Sequence, residues 1–211
     1  MEIENISASD LIKRSAKQLV YLRLKKEKIH NWMMERGVEY QHKVVKDESL
    51  QNTVTEELRG CYPYKNYNIF FCIDMLKDNA FYEIKSIFDT EGNPTLVYDD
   101  WYLNQSILQC AFYKSLIMKM PATTLYTPKF RIKEGYKKIS VDVKREWSYY
   151  LMFGEVGVYE VQVLDPDAII DFYINKIESL SDYTSAGCFD SKYKWKEFDE
   201  LKNYFVVNKI L

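Results

Sequence analysis

Tyr67-Asn68-Ile69-Phe70-Phe71-Cys72-Ile73-Asp74-Met75-Leu76, then Lys77-Asp78-Asn79, then Ala80-Phe81-Tyr82-Glu83-Ile84-Lys85-Ser86-Ile87-Phe88 is the stretch that decides the fold. Both apolar runs are rich in aromatic and β-branched residues, and the break between them has turn chemistry. The pattern predicts a β-hairpin over about 66–89. Glu83 and Lys85 lie two apart on the second strand, so they share one face of a sheet. Asp74 falls near the end of the first strand. Two acids and a lysine can therefore converge on one spot. A pair of carboxylates open to a phosphate suits a divalent hard cation. Without further context, the same residues also fit an ordinary hairpin with charges on its wet face.

The next segment adds to this. Asp99-Asp100 reads as a helix N-cap pair. It opens a helical pattern over about 99–119, with Leu103, Ile107, Leu108, Ala111, Phe112 and Leu116 on the apolar stripe. Gln109 and Tyr113 are four apart and share a helix face. Upstream, Ser7-Ala8-Ser9-Asp10-Leu11 starts a helical pattern over about 7–26. A second helix is predicted over about 28–47, with Gly37, Glu39 and His42 on it.

Together these residues resemble the PD-(D/E)XK nuclease superfamily. Asp74 matches the first acid and Glu83-Ile84-Lys85 the E-x-K element. Gln109-x-x-x-Tyr113 is similar to the signature of the RecB-type branch, which includes lambda-exonuclease-like phage enzymes. Ser7-x-Ser9-x-Leu11 resembles the opening helix of that branch, and Gly37 with His42 resembles its Gly-then-His segment. The gap from Gly37 to His42 is one residue longer than the family pattern. Glu39 is the alternative match, to a glutamate that phage exonucleases place there.

The resemblance implies that Asp74 and Glu83, with the Ile84 carbonyl and His42 or Glu39, hold Mg²⁺ or Mn²⁺. It implies that Lys85, Gln109 and Tyr113 serve catalysis, and that DNA is cut to leave a 3′-hydroxyl and a 5′-phosphate. DNA recombination, repair or phage DNA processing is the expected setting. The alternatives are a restriction-like or RNA-cleaving endonuclease, and a nucleic-acid-binding module that keeps the fold without activity. The recognisable part covers about 7–120; no motif is recognised over 121–211. Some relatives carry an iron–sulfur cluster on one early and three late cysteines. Ser15-Ala16 stands near the early position and the late trio is missing, so no cluster is expected.

Composition sets the remaining bounds. At 211 residues the chain fits one domain, with room for two small lobes. There is no apolar leader or membrane-length run, so a cytoplasmic protein is expected. Cys61, Cys72, Cys110 and Cys188 form no C-x-x-C pair and are expected as free thiols.

The net charge of −2 carries no global nucleic-acid signal. Its distribution is uneven. Lys13, Arg14, Lys17, Arg23, Lys25, Lys26 and Lys28 crowd the first segment. Lys129, Arg131, Lys133, Lys137 and Lys138, interleaved with aromatics, form a candidate path for a nucleic-acid backbone; Lys144 and Arg145 extend it. A partner protein or a second copy of the chain is also compatible with the small size.

Strands are expected over Thr123–Ile132, Lys138–Lys144, Tyr149–Phe153 and Gly157–Leu164. Helices are expected over Ala168–Leu180, after an Asp165-Pro166-Asp167 cap, and over Tyr193–Phe205. Residues 48–60 read as polar, either mobile or helical. The order of elements predicts an α/β (α+β) fold: a mixed central sheet flanked by helices, with a restriction-endonuclease-like core.

Overall fold

The computed structural model describes residues 4–13, 32–86, 100–120, 124–132, 135–142, 146–153, 157–178 and 196–211. The elements in chain order are β1 (Glu4–Ser7), α1 (Ala8–Lys13), α2 (Trp32–Ser49), β2 (Val54–Tyr64), β3 (Tyr67–Lys77), β4 (Ala80–Lys85) and α3 (Asp100–Lys119). Then come β5 (Thr124–Ile132), β6 (Gly135–Asp142), β7 (Ser148–Phe153), β8 (Gly157–Val163), α4 (Pro166–Glu178), α5 (Lys196–Leu201) with a 3₁₀ turn (Lys202–Tyr204), and β9 (Phe205–Lys209). The rest of the expected first helix, His30, most of the first basic cluster, Lys133, Lys144, Arg145 and Cys188 lie outside the described residues.

The strands form one mixed sheet in the order β6-β5-β2-β3-β4-β7-β8-β9, with β1 parallel to β3. The fold is α/β, as the sequence pattern predicts. The β3–β4 hairpin closes on Asp78-Asn79, with Lys77 paired to Ala80 and Asp78 at φ 53°. Aspartate tolerates this left-handed conformation better than most residues. On α4, the Asp165 carboxylate accepts the Ala168 amide at 3.0 Å. Within the predicted cap turn Asp165 is the residue that caps, and the helix begins on Pro166, a favoured first position, two residues before the expected Ala168.

Three strands depart from expectation. Val54–Tyr64 is strand β2, paired with β3 along its length, so the part of 48–60 from Val54 on is strand where a mobile or helical segment was expected. Phe205–Lys209 is strand β9 on β8, where a helix was expected to end. β1 is a short parallel strand on Tyr67–Phe70.

Two hydrophobic clusters sit on opposite faces of the sheet. The larger joins α1, α3 and α4 to residues such as Leu58, Ile73, Phe81, Leu151 and Phe153. Within it, α3 is covered on all sides, so even Ser106, Gln109, Lys114 and Ser115 are buried. The smaller is built by Val45 of α2 with Met75 and Ile84.

The facing of β2 and β3 switches at one point. Ile73 and Leu58 belong to the larger cluster, whereas Met75 belongs to the smaller, and Glu56 meets His42 of α2. Leu58 pairs with Ile73 and Glu56 with Met75; between them Glu57 and Asp74 make no ladder pair. Glu57 has φ 52°, a strained value for a glutamate, and this local irregularity resets the side-chain alternation.

Gly60 shows how closely β2 and β3 are fitted. It pairs with Phe71, and a Cβ at Gly60 would lie 2.2 Å from the end of that ring. Phe71 in turn packs on Tyr113, with ring centroids 5.6 Å apart. Gly60→Ala is expected to push the ring into α3 and to lower stability by about 1–3 kcal/mol, the usual cost of overpacking. Urea unfolding of the variant checks this; an unchanged midpoint would mean that the ring moves aside freely.

Candidate active site

The site lies where one edge of β3 loses its strand partners. Along that edge, β1 pairs with Tyr67–Phe70 and β4 pairs with Met75–Lys77. Among the described residues, 71–74 between them have no ladder partner on that edge. The C-terminal end of β4 runs past this gap, still held on its other side by β7. Asp74 spans the opening: its Oδ2 accepts the Ile84 amide at 2.8 Å. A side chain thus replaces a missing ladder bond and fixes Asp74 against β4.

Glu83 and Lys85 share the face that α3 covers. Lys85 Nζ donates to Glu83 Oε1 at 2.5 Å. Gln109 Nε2 donates to the same oxygen at 2.5 Å and lies 3.1 Å from the Tyr113 hydroxyl. Glu83 is only 1% exposed, Gln109 4% and Tyr113 2%; the Lys85 side chain is 13% exposed. The structure therefore brings five of the residues singled out in the sequence into one neighbourhood. These charges are not on a wet face: α3 buries them.

Burial normally forces a polar group to find partners. Glu83 Oε1 has two donors, but Glu83 Oε2 is fully buried and has none. The electrostatics follow from this crowding. Burial acts to lower the Lys85 ammonium, but Glu83 and Asp74 outweigh it and hold the group above the usual lysine value. Lys85 is accordingly a fixed cation at neutral pH. Burial, then the charge of Asp74, pushes the Cys72 thiol up to about 12, which makes it a poor nucleophile. Burial and then Glu83 also raise the Tyr113 phenol well above its normal range, so it is a neutral hydrogen-bonding group.

Tyr102 is a neighbour that sequence patterns did not single out. It lies seven residues before Gln109 on α3, and its hydroxyl is 3.4 Å from the Ser86 carbonyl. Burial raises it, Lys85 lowers it, and Glu83 and Asp74 raise it further, which places it beside all three. The i, i+7 spacing from Gln109 was the available signal.

Other expected residues stand apart. His42 is 53% exposed, and its Nδ1 lies 2.5 Å from Glu56 Oε1. It sits on α2, which packs through Val45, Val44 and Tyr40 on the sheet face opposite Glu83. Glu39 is exposed on the same helix. The Ile84 group that meets Asp74 is its amide. No trio of His, Cys, Asp or Glu side chains among the described residues is grouped as a metal cage. Lys129, Arg131, Lys137 and Lys138 lie on the β5–β6 ribbon, with Lys129 opposite Lys137 and Pro128 opposite Lys138.

Two carboxylates are hard oxygen donors of the type Mg²⁺ and Mn²⁺ prefer. The buried, unpartnered Glu83 Oε2 leaves one of those oxygens with coordination to spare. On these grounds the residues fit such an ion.

The chain matches no family model, no curated protein and no solved structure. Its function must be read from its own residues. No described helix is long and apolar enough to cross a membrane.

Proposed function

We propose that the chain is a divalent-metal-dependent nuclease that hydrolyses DNA phosphodiester bonds, acting from strand ends. One observation carries the reading: a carboxylate buried under α3 is held at one oxygen by Lys85 and Gln109, beside Asp74, in a gap of the sheet. A buried carboxylate with an unsatisfied oxygen is costly, and such costs concentrate at functional sites.

Asp74 and Glu83 are the residues that would hold Mg²⁺ or Mn²⁺. Such an ion polarises a phosphoryl oxygen and lowers the pKa of bound water. The chain's own groups do the rest. Lys85, held beside Glu83, would stabilise negative charge as it develops on the phosphoryl oxygens. Gln109 fixes the Glu83 carboxylate, and Tyr113 steadies the Gln109 amide. In the reaction a water oxygen bonds to phosphorus and the P–O3′ bond breaks. The products are a 3′-hydroxyl and a 5′-phosphate. The β5–β6 ribbon carries Lys129, Arg131, Lys137 and Lys138, and such a run of basic residues suits contact with the phosphate backbone.

Action from ends follows from the likeness of Gln109-x-x-x-Tyr113 to the end-processing branch. The test is one plasmid, closed and linearised, incubated with Mn²⁺ beside labelled RNA. Loss of the linear form alone is the expected result. Equal loss of the closed circle moves the reading to an endonuclease, and loss of RNA alone to a ribonuclease. If nothing is degraded, the chain is a binding module.

A further inference from the structure

Glu83 Oε2 is not the only stranded polar atom at this site. The Tyr149 hydroxyl is also fully buried and has no hydrogen-bond partner. Tyr149 lies on β7, the strand parallel to β4. In that register Tyr149 pairs with Phe81 and Leu151 with Glu83. Side chains at these positions point to the same face of the sheet, so Tyr149 stands diagonally next to Glu83. The Phe81 and Tyr149 rings are 5.9 Å apart, which keeps the phenol on the α3 side. Burial raises the Tyr149 phenol well above its normal value, and Glu83 is the foremost charge adding to that effect, followed by Cys110, Tyr113 and Asp74.

Two stranded groups at diagonal positions on one face of the sheet are complementary. A phenol hydroxyl is a donor, and a carboxylate oxygen is an acceptor. Each alone is destabilising. We propose that Tyr149 is a positioning residue for Glu83, its hydroxyl linked to Oε2 through one internal water. Such a water needs at least two polar partners, and these two groups are of the right kind. A carboxylate oxygen has two lone-pair sites, so the link leaves one for a cation. Lys85 and Gln109 then fix the outer oxygen, Tyr149 the inner one, and the carboxylate is held at both ends. The catalytic part of this inference rests on the nuclease reading; the pairing itself does not.

The experiment is a double-mutant cycle with two readouts. Tyr149→Phe removes only the hydroxyl. Glu83→Met keeps the chain length and removes both oxygens. Urea midpoints are measured for the wild type, both single variants and the double variant. Tyr149→Phe is expected to lower the midpoint when Glu83 is present, and to leave it unchanged or raise it in the Glu83→Met background. The same shift in both backgrounds overturns the pairing. Kinetics on linear DNA are measured for Tyr149→Phe. A fall in kcat of about tenfold with KM unchanged is expected, the equivalent of one hydrogen bond. A coupled midpoint with no kcat change overturns the positioning role. A coupled midpoint with an inactive wild type keeps the pairing and removes the nuclease reading.

Discussion

Asp74→Ala, Glu83→Ala and Lys85→Ala are each expected to lower Mn²⁺-dependent DNA cleavage by about 10²-fold or more. Each side chain has a separate task, so the three losses have separate signatures. Glu83→Gln keeps the shape and a hydrogen-bonding oxygen but removes the charge that would hold a cation. Saturating Mn²⁺ stabilises any protein that binds it only when folded, by about 2.7 kcal/mol at a hundred times Kd. The wild type is expected to show a rise in melting temperature with Mn²⁺, and Glu83→Gln to show none. In the absence of metal, Glu83→Gln is expected to melt below the wild type, because it takes from the largely buried Lys85 the carboxylate it is paired with. Lys85 separates two mechanisms. Arginine cannot act as a base but keeps the cation. Because Lys85 is held charged by Glu83 and Asp74, Lys85→Arg should retain measurably more activity than Lys85→Ala. If both variants are equally dead, either the geometry is too tight for a guanidinium or Lys85 works as a base. Full activity in Glu83→Ala would falsify the assignment of this site.

The hairpin, the long helix and their chemistry were legible because their signals are local. Alternating aromatic and β-branched residues marked β3 and β4, and an i, i+4 pair on a periodic helix placed Gln109 beside Tyr113. What was not legible depends on distant partners. In β2 the inward positions are Leu58, Gly60 and Tyr62, with paired charges at Glu56-Glu57 and a proline at 63, so alternation is weak. Gly60 is there because Phe71 on the next strand needs its space. β1 has four residues and gains its strand form from pairing with β3, more than fifty residues away in register. β9 is a short run whose Phe205 also completes an amphipathic helical pattern; only β8 decides between the two. Burial of Glu83 was hidden for the same reason. Nothing in Glu83-Ile84-Lys85 says that α3 will cover it. His42 shows the converse: its helix was found, but the sheet face on which that helix packs is set by Val45, Met75 and Ile84 together.

Glu197→Ala is expected to cost about 3–5 kcal/mol, the largest stability loss among these substitutions. Glu197 on α5 lies 2.5 Å from Lys176 on α4, and both are buried. The same ammonium donates to the Leu11 carbonyl at the end of α1. One cation thus ties the first helix to two late elements. Burial lowers the Lys176 ammonium and raises the Glu197 carboxyl; each is partly offset by the other. Truncating Glu197 removes that offset and leaves a buried charge beside a carbonyl, so the loss exceeds what the contact itself contributes. The double variant Lys176→Met/Glu197→Leu removes both charges and fills the space with apolar atoms. It is expected to be less destabilised than Glu197→Ala, because burying an ion pair costs about as much desolvation as its attraction returns. The Leu11 carbonyl then loses a donor, which sets the residual cost at about 1–3 kcal/mol. Urea unfolding of the three proteins checks the order. If the double variant is as unstable as the single one, the pair holds α1 and α5 in place through its geometry and not through charge balance.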